Sequence, residues 1–172
     1  MDIKLYNTLT KKIDTFTPIN KGQVSMYVCG PTVYDYVHIG NLRPVVVFDV
    51  LRRLFLALGY QVTYVSNYTD IDDKIINRAI EENVSEKVLT EKYIAAFDQN
   101  VQSINSLHPD FTPKATEHIQ NIIHFIDELV KKNAAYVRDG EVFFRVASDP
   151  DYGILSNVNH DELISGARVE EN

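Results

Sequence analysis

The residues best suited to chemistry fall in two short stretches. In the first, Cys29-Gly30-Pro31-Thr32 is soon followed by His38-Ile39-Gly40-Asn41, and the second is Thr69-Asp70-Ile71-Asp72-Asp73. His38–Asn41 precedes a long apolar segment that reads as a helix. A helix start offers unpaired backbone N–H groups and a partial positive charge, and phosphate binds there. Gly40 carries no side chain, so a nucleotide could approach the backbone, with His38 and Asn41 as side-chain donors beside its phosphates. The same residues also read as an ordinary helix start capped by Asn41. Cys29 is the single cysteine; taken alone it reads as a buried core residue. Asp72 and Asp73 fit the first turn of a helix, where carboxylates complement its dipole, while Asp70 either caps that helix or faces a pocket.

The elements that must position these residues can be read from pattern. Val24–Val28 reads as a strand, halted by Cys29-Gly30-Pro31. Val45–Leu58 is apolar on most sides and long enough for a helix, which would need cover nearly all round. Gly59 suits its C-terminus, and Tyr60–Asn67 follows as a strand. Strand, helix and strand make a βαβ unit and hence a parallel sheet, whose ligands sit beyond the carboxyl ends of its strands. Cys29 and Thr69-Asp70 should therefore share one rim. Elsewhere, Ile3–Thr10 reads as an edge strand followed by a polar turn around Thr17–Gly22. Asp72–Asn83 reads as a helix, Ser85 caps a second, and Thr112-Pro113 opens a third. Ala135–Val146 reads as a hairpin turning at Asp139-Gly140, and Asp149–Asn172 as a polar tail.

Composition narrows the class only modestly. The chain has 172 residues, 45% hydrophobic and 24% charged, with a formal net charge of −7. It carries no strong basic stripe, so any surface for nucleic acid is expected elsewhere. Lys11-Lys12, Arg52-Arg53 and Lys131-Lys132 read as solvated pairs. One cysteine fits a reducing compartment, and no signal peptide or membrane-length apolar run is present. The expectation is a soluble cytoplasmic protein. His108, His118, His124 and His160 lack ligand spacing and read as surface residues, while Tyr34 and Tyr36 suit core packing or a pocket wall equally.

His38-Ile39-Gly40-Asn41 resembles the HIGH signature of class I aminoacyl-tRNA synthetases, with Asn41 in place of the final histidine. Met26–Asp35, Asn67–Ile76 and Ser165-Gly166-Ala167-Arg168-Val169 resemble blocks of the cysteinyl-tRNA synthetases. The resemblance runs through essentially the whole chain. It implies an α/β fold: the first half of a class I Rossmann-type doubly wound parallel sheet in residues 1–84, then in 85–172 the start of a helical and hairpin insertion within the same structural unit. It implies ATP-dependent activation of cysteine to cysteinyl-adenylate and transfer to tRNA(Cys), with Mg²⁺ accompanying ATP. His38 and Asn41 would be catalytic, and His38, Ile39, Gly40 and Asn41 would bind ATP. Gly30, Thr32 and Thr69 would contact the amino acid. Cys29 would be one ligand of a Zn²⁺ ion that selects a thiol over an alcohol.

The resemblance also implies that the lysine-bearing KMSKS loop and the remaining zinc ligands lie downstream. The 172-residue chain is therefore expected to be an inactive monomer, with an unfilled sheet edge and a helix Val45–Leu58 less covered than its composition demands. Two other readings are the cysteine-activating ligase of mycothiol synthesis, which would use an amino sugar in place of tRNA, and a non-catalytic nucleotide- or zinc-binding module.

Overall fold

A computed structural model describes residues 2–156; His160 and the Ser165–Val169 block lie outside the described residues. The elements in chain order are β1 (Lys4–Asn7), β2 (Lys12–Thr15), β3 (Gln23–Val28), α1 (Ile39–Ala57), β4 (Gln61–Ser66), α2 (Asp73–Glu82), α3 (Glu86–Ser103), a 3-10 turn (Ala115–His118), α4 (Ile119–Lys131), β5 (Ala135–Arg138) and β6 (Glu141–Phe144). Residues Pro18–Ile119 form one compact unit, and the described residues outside it form another. Within the first unit α3 packs on α2.

The first unit holds the expected βαβ arrangement. β3 and β4 pair in parallel, from Gln23 opposite Gln61 to Val28 opposite Ser66, with α1 as the connection. Among the described residues no strand pairs with the other side of β3. The free side of β4 is lined instead by an extended segment: Ser66 N–H donates to the Phe111 carbonyl (3.1 Å) and Tyr68 N–H to the Pro113 carbonyl (2.9 Å). This corrects the expected helix opening at Thr112-Pro113. Pro113 lacks an N–H but needs only its carbonyl here, so a proline fits the segment. The helical path begins later, at the 3-10 turn.

α1 begins at Ile39, six residues before the apolar run at Val45, and carries Pro44 inside it. Its burial is inverted. Leu42, Asp49, Arg52 and Phe55 are buried, whereas Val47 is 55% and Val50 61% exposed. At 100° per residue, Val46, Val50, Leu54, Val47 and Leu58 share an arc of about 120°. That face is left bare among the described residues, so the helix is less covered than its composition demands, as expected. The buried side of the helix carries Asp49 and Arg52, with Arg53 at its border. Asp49 accepts from Arg53 Nε (2.7 Å) and from Leu107 N–H (3.0 Å). Arg52 donates to the His108 carbonyl (2.7 Å) and to Asp110 (2.8 Å), and Asp110 also accepts from Tyr64 N–H (2.7 Å). Arg52 and Arg53 are thus not the solvated pair that the sequence suggests. They fasten α1 to the loop after α3, where backbone carbonyls and a carboxylate replace water.

α3 starts as read, at cap Ser85 (Val88 N–H to Oγ, 3.3 Å), whereas α2 is capped by Asp72 (Lys74 N–H to Oδ1, 2.9 Å), a residue expected inside its first turn. Their inner faces bring Ile75, Ala79, Leu89, Tyr93, Phe97 and Val101 into one core with Val33 and Tyr68. Ile75 and Leu89 are fully buried, each contributing about 1.5–3 kcal/mol relative to exposure.

The second unit contains two hairpins and α4. β1 and β2 pair antiparallel, which corrects the expected single edge strand over Ile3–Thr10. Leu9 N–H donates to Asn7 Oδ1 (3.0 Å) and Lys11 takes a positive φ of 57°, so the chain reverses where continuous strand was expected. β5 and β6 form the anticipated hairpin. Asp139 (φ 52°) and Gly140 (φ 86°) give it the two left-handed residues of a tight reversal.

Candidate active site

The carboxyl ends of β3 and β4 open into two loops that remain joined past the last strand residues. Thr69 N–H donates to the Pro31 carbonyl (3.1 Å), Val33 N–H to the Thr69 carbonyl (3.2 Å), and Thr32 bridges Thr69. Val33, 2% exposed, anchors the first loop in the core. At Gly30 the loops nearly touch. A Cβ there would lie 1.7 Å from the Asn67 carbonyl oxygen, so only glycine allows this approach. Gly30 N–H donates to Asn67 Oδ1 (3.0 Å), and Asn67 Nδ2 donates to Thr69 Oγ1 (3.3 Å).

The chain then reaches the start of α1, where a reciprocal pair of bonds closes the helix end. His38 is the N-cap: its Nδ1 accepts from Gly40 N–H (3.0 Å), while Asn41 Oδ1 accepts from His38 N–H (3.1 Å). Asn41 is therefore the third helical residue and not the cap. Because Nδ1 accepts, the proton of the neutral ring sits on Nε2, which is left as a donor. Asn41, with its oxygen engaged, likewise offers its Nδ2 protons. A Cβ on Gly40 would lie 2.8 Å from His38 Cε1. The space above Gly40 is thus taken by the capping ring, and leaving it clear for a nucleotide is not the first use of this glycine.

Cys29, Gly30 and Pro31 face Gly40 and Asn41 across an open cleft, with Val45 and Phe97 among its other walls. The structure so brings Cys29, Gly30, Gly40 and Asn41 together. His38 and Ile39 are exposed at the helix start beside it. Thr32 and Thr69 are joined to the same strand ends by backbone bonds rather than lining the cleft. The Cys29 thiol is exposed, not buried in a core, and lies 3.6 Å from the Gly30 carbonyl. Among the described residues no three His, Cys, Asp or Glu side chains stand where they could hold a metal ion. The described residues therefore do not by themselves fit zinc; they offer one thiolate donor.

Asp70 takes neither expected role. It is buried and accepts from Thr116 N–H (3.0 Å) and the Thr116 hydroxyl, holding the 3-10 turn. Tyr34 packs against the core and lies under Lys74 Nζ, while the largely exposed Tyr36 meets Tyr93 edge-on at 5.2 Å. His108, His118 and His124 are exposed, as read. Tyr68 donates to Asp98, and burial followed by that carboxylate drives its phenol well above the ordinary range.

Two features had gone without a role in the sequence: Asn67, and the ion pairs Arg53–Asp49 and Arg52–Asp110. A usable signal for the second existed, since Asp49 and Arg53 lie four apart on one helix. Asn67 carries no such signal, because its partner Gly30 lies in a loop from another strand.

Comparison with known proteins places these observations in context. The family model described as "tRNA synthetases class I (C) catalytic domain" matches residues 15–172. A cysteine–tRNA ligase of Finegoldia magna is 53% identical over 171 residues, covering 99% of this chain and 37% of that protein. A cysteine–tRNA ligase of Staphylococcus epidermidis is 51% identical over 168 residues, covering 98% and 36% respectively. This chain thus spans a little over a third of the length of the curated relatives it matches. Among solved structures, a Campylobacter jejuni chain described as an arginyl t-RNA synthetase superposes with a TM-score of 0.59 at 15% identity, covering 76% of this chain and 39% of that one. That likeness is one of fold. No helix among the described residues is long and apolar enough to cross a membrane.

Proposed function

Because this chain belongs to the class I (C) tRNA synthetase catalytic-domain family, we propose that the whole protein activates cysteine with ATP and charges tRNA(Cys). The cysteine carboxylate attacks the α-phosphorus, forming cysteinyl-adenylate and releasing pyrophosphate. A terminal hydroxyl of the tRNA then attacks the aminoacyl carbonyl, and AMP leaves. The first step loads charge onto phosphate oxygens, which positioned donors stabilise without reorganising. Mg²⁺ accompanies the nucleotide.

The observation that carries this reading is the cap of α1. Its two reciprocal bonds hold His38 Nε2–H and Asn41 Nδ2 as unspent donors at the positive end of a long helix, beside the cleft that Cys29 and Gly30 line. His38, Ile39, Gly40 and Asn41 serve the ATP phosphates in this proposal. Asparagine at position 41 can donate but not transfer a proton, so its part is electrostatic. Gly30, Thr32 and Thr69 hold the amino acid, and Cys29 contributes one thiolate ligand to zinc. The β3–α1–β4 unit belongs to a Rossmann-type doubly wound sheet, residues 1–84 forming its first half and 85–172 beginning an insertion. The protein acts as a cytoplasmic monomer.

The test is ATP–pyrophosphate exchange and tRNA charging by the full-length gene product. Exchange that depends on cysteine and not on serine, followed by charging of tRNA(Cys), is expected. No cysteine-dependent exchange, or delivery of cysteine to an amino sugar in place of tRNA, overturns the proposal.

A further inference from the structure

Asn67 is the only side chain among the described residues that bonds to both Gly30 and Thr69. Which end of its amide points where is fixed by chemistry. The Gly30 backbone N–H can only donate, so the atom facing it at 3.0 Å is oxygen. The other end is therefore the amino group, which can only donate to Thr69 Oγ1 at 3.3 Å. Thr69 must accept this bond, and its own hydroxyl proton is turned elsewhere. No acceptor for that proton lies in reach among the described residues.

We propose that Asn67 is a positioning residue that sets the Thr69 hydroxyl as a donor toward the bound amino acid. The proposal rests on the reading of Thr69 as an amino-acid contact. Asn67 does not touch the substrate. It polarises and aims a group that does, and its Gly30 bond fixes the loop from which it acts. The Thr69 backbone is held independently by Pro31 and Val33, so the hydroxyl can lose its orientation while the loop keeps its place.

The discriminating variant is Asn67→Asp in the full-length protein. One carboxylate oxygen still accepts from Gly30 N–H. The other cannot donate, and takes the Thr69 proton for itself. Exchange kinetics should show KM for cysteine raised about tenfold, the scale of one net hydrogen bond, with KM for ATP, kcat and melting temperature little changed. Thr69→Val should do the same, Thr69→Ser should stay near wild type, and Asn67→Asp added to Thr69→Val should do nothing more. A purely structural Asn67 gives different results: KM values for cysteine and ATP rising together, or the double variant showing the product of the two single effects. Either outcome overturns the proposal, as does an unchanged KM for cysteine in Asn67→Asp. If Asn67→Asp does not fold, the Thr69→Val and Thr69→Ser pair decides, and equal KM values for the two refute it. Absence of cysteine-dependent exchange in the unsubstituted protein is a separate result, which removes the functional reading itself.

Discussion

Replacing Gly30 by alanine tests the closest approach in the site. The new Cβ would stand 1.7 Å from the Asn67 carbonyl oxygen and 2.9 Å from its carbon. An ordinary carbon–oxygen contact is about 3.3 Å, so one backbone must retreat by roughly 1.6 Å. Neither is free to do so. The Asn67 side is held through Tyr68 N–H to Pro113 and Thr69 N–H to Pro31, the Gly30 side by Val33 N–H to Thr69. Overpacking of this kind costs about 1–3 kcal/mol, and losing the Gly30–Asn67 bond adds about 1 kcal/mol. A total near 3 kcal/mol lowers the melting temperature of a unit this size by roughly 12–24 °C. Thermal unfolding followed by circular dichroism measures it, with Gly40→Ala as the control. There the clash is with the His38 ring, which can swing away, and alanine gains up to about 1 kcal/mol in helix propensity. Gly40→Ala should therefore melt within a few degrees of wild type. If Gly30→Ala melts no lower than Gly40→Ala, the contact with Asn67 is not as described and the reasoning fails.

Three further outcomes follow from the same geometry. His38→Asn keeps a good N-cap but loses the Nε2 donor, so the melting temperature should hold while cysteine-dependent exchange by the full-length protein falls about a hundredfold, as for an oxyanion donor. Arg52→Met strands the half-exposed Asp110 carboxylate and frees the His108 carbonyl; it should cost about 2 kcal/mol, less than a fully buried pair, and hydrogen exchange should quicken at Tyr64, whose N–H rests on Asp110. The Lys92 ammonium above all, with the Tyr93 hydroxyl and Arg78, holds the Glu82 carboxyl below its ordinary value. A lowered folded pKa means stability present above the unfolded value near 4.3 and lost as pH falls through the folded one. Urea midpoints of wild type and Glu82→Gln should therefore differ at neutral pH and converge as the pH falls through that lowered value.

Much of this arrangement could be read from residue order, for identifiable reasons. The Ser85 cap was legible because its side chain bonds to an amide three residues on, a purely local matter, whereas Asp72 was expected inside the first turn that it caps. The β3 and β4 segments were legible from β-branched runs ended by Gly-Pro and polar residues. The start of α1 at His38–Asn41 was legible too, but not which residue caps it: His38 does so through Nδ1, with Asn41 reciprocating from the third helical position. β2 was missed because Lys12–Thr15 is short and polar, and its strand character comes from pairing with β1. Asp70 was misjudged because Thr116, which it holds, is 46 residues away. Within the site, the joining of β3 and β4 ends was legible from the βαβ pattern. The orientation of the His38 ring and the two bonds of Asn67 depend on contacts that no spacing encodes.

The bare arc of α1 also governs how copies of this chain behave toward one another in solution. Val46, Val47, Val50, Leu54 and Leu58 present an uncharged strip on a body whose net charge is −7. At neutral pH mutual repulsion keeps such strips apart. Near pH 5.2 that repulsion vanishes while the strip remains, so solubility should pass through a sharp minimum there. Attraction between apolar strips strengthens on warming and with sulfate, and the turbidity of an acidified solution should rise with both.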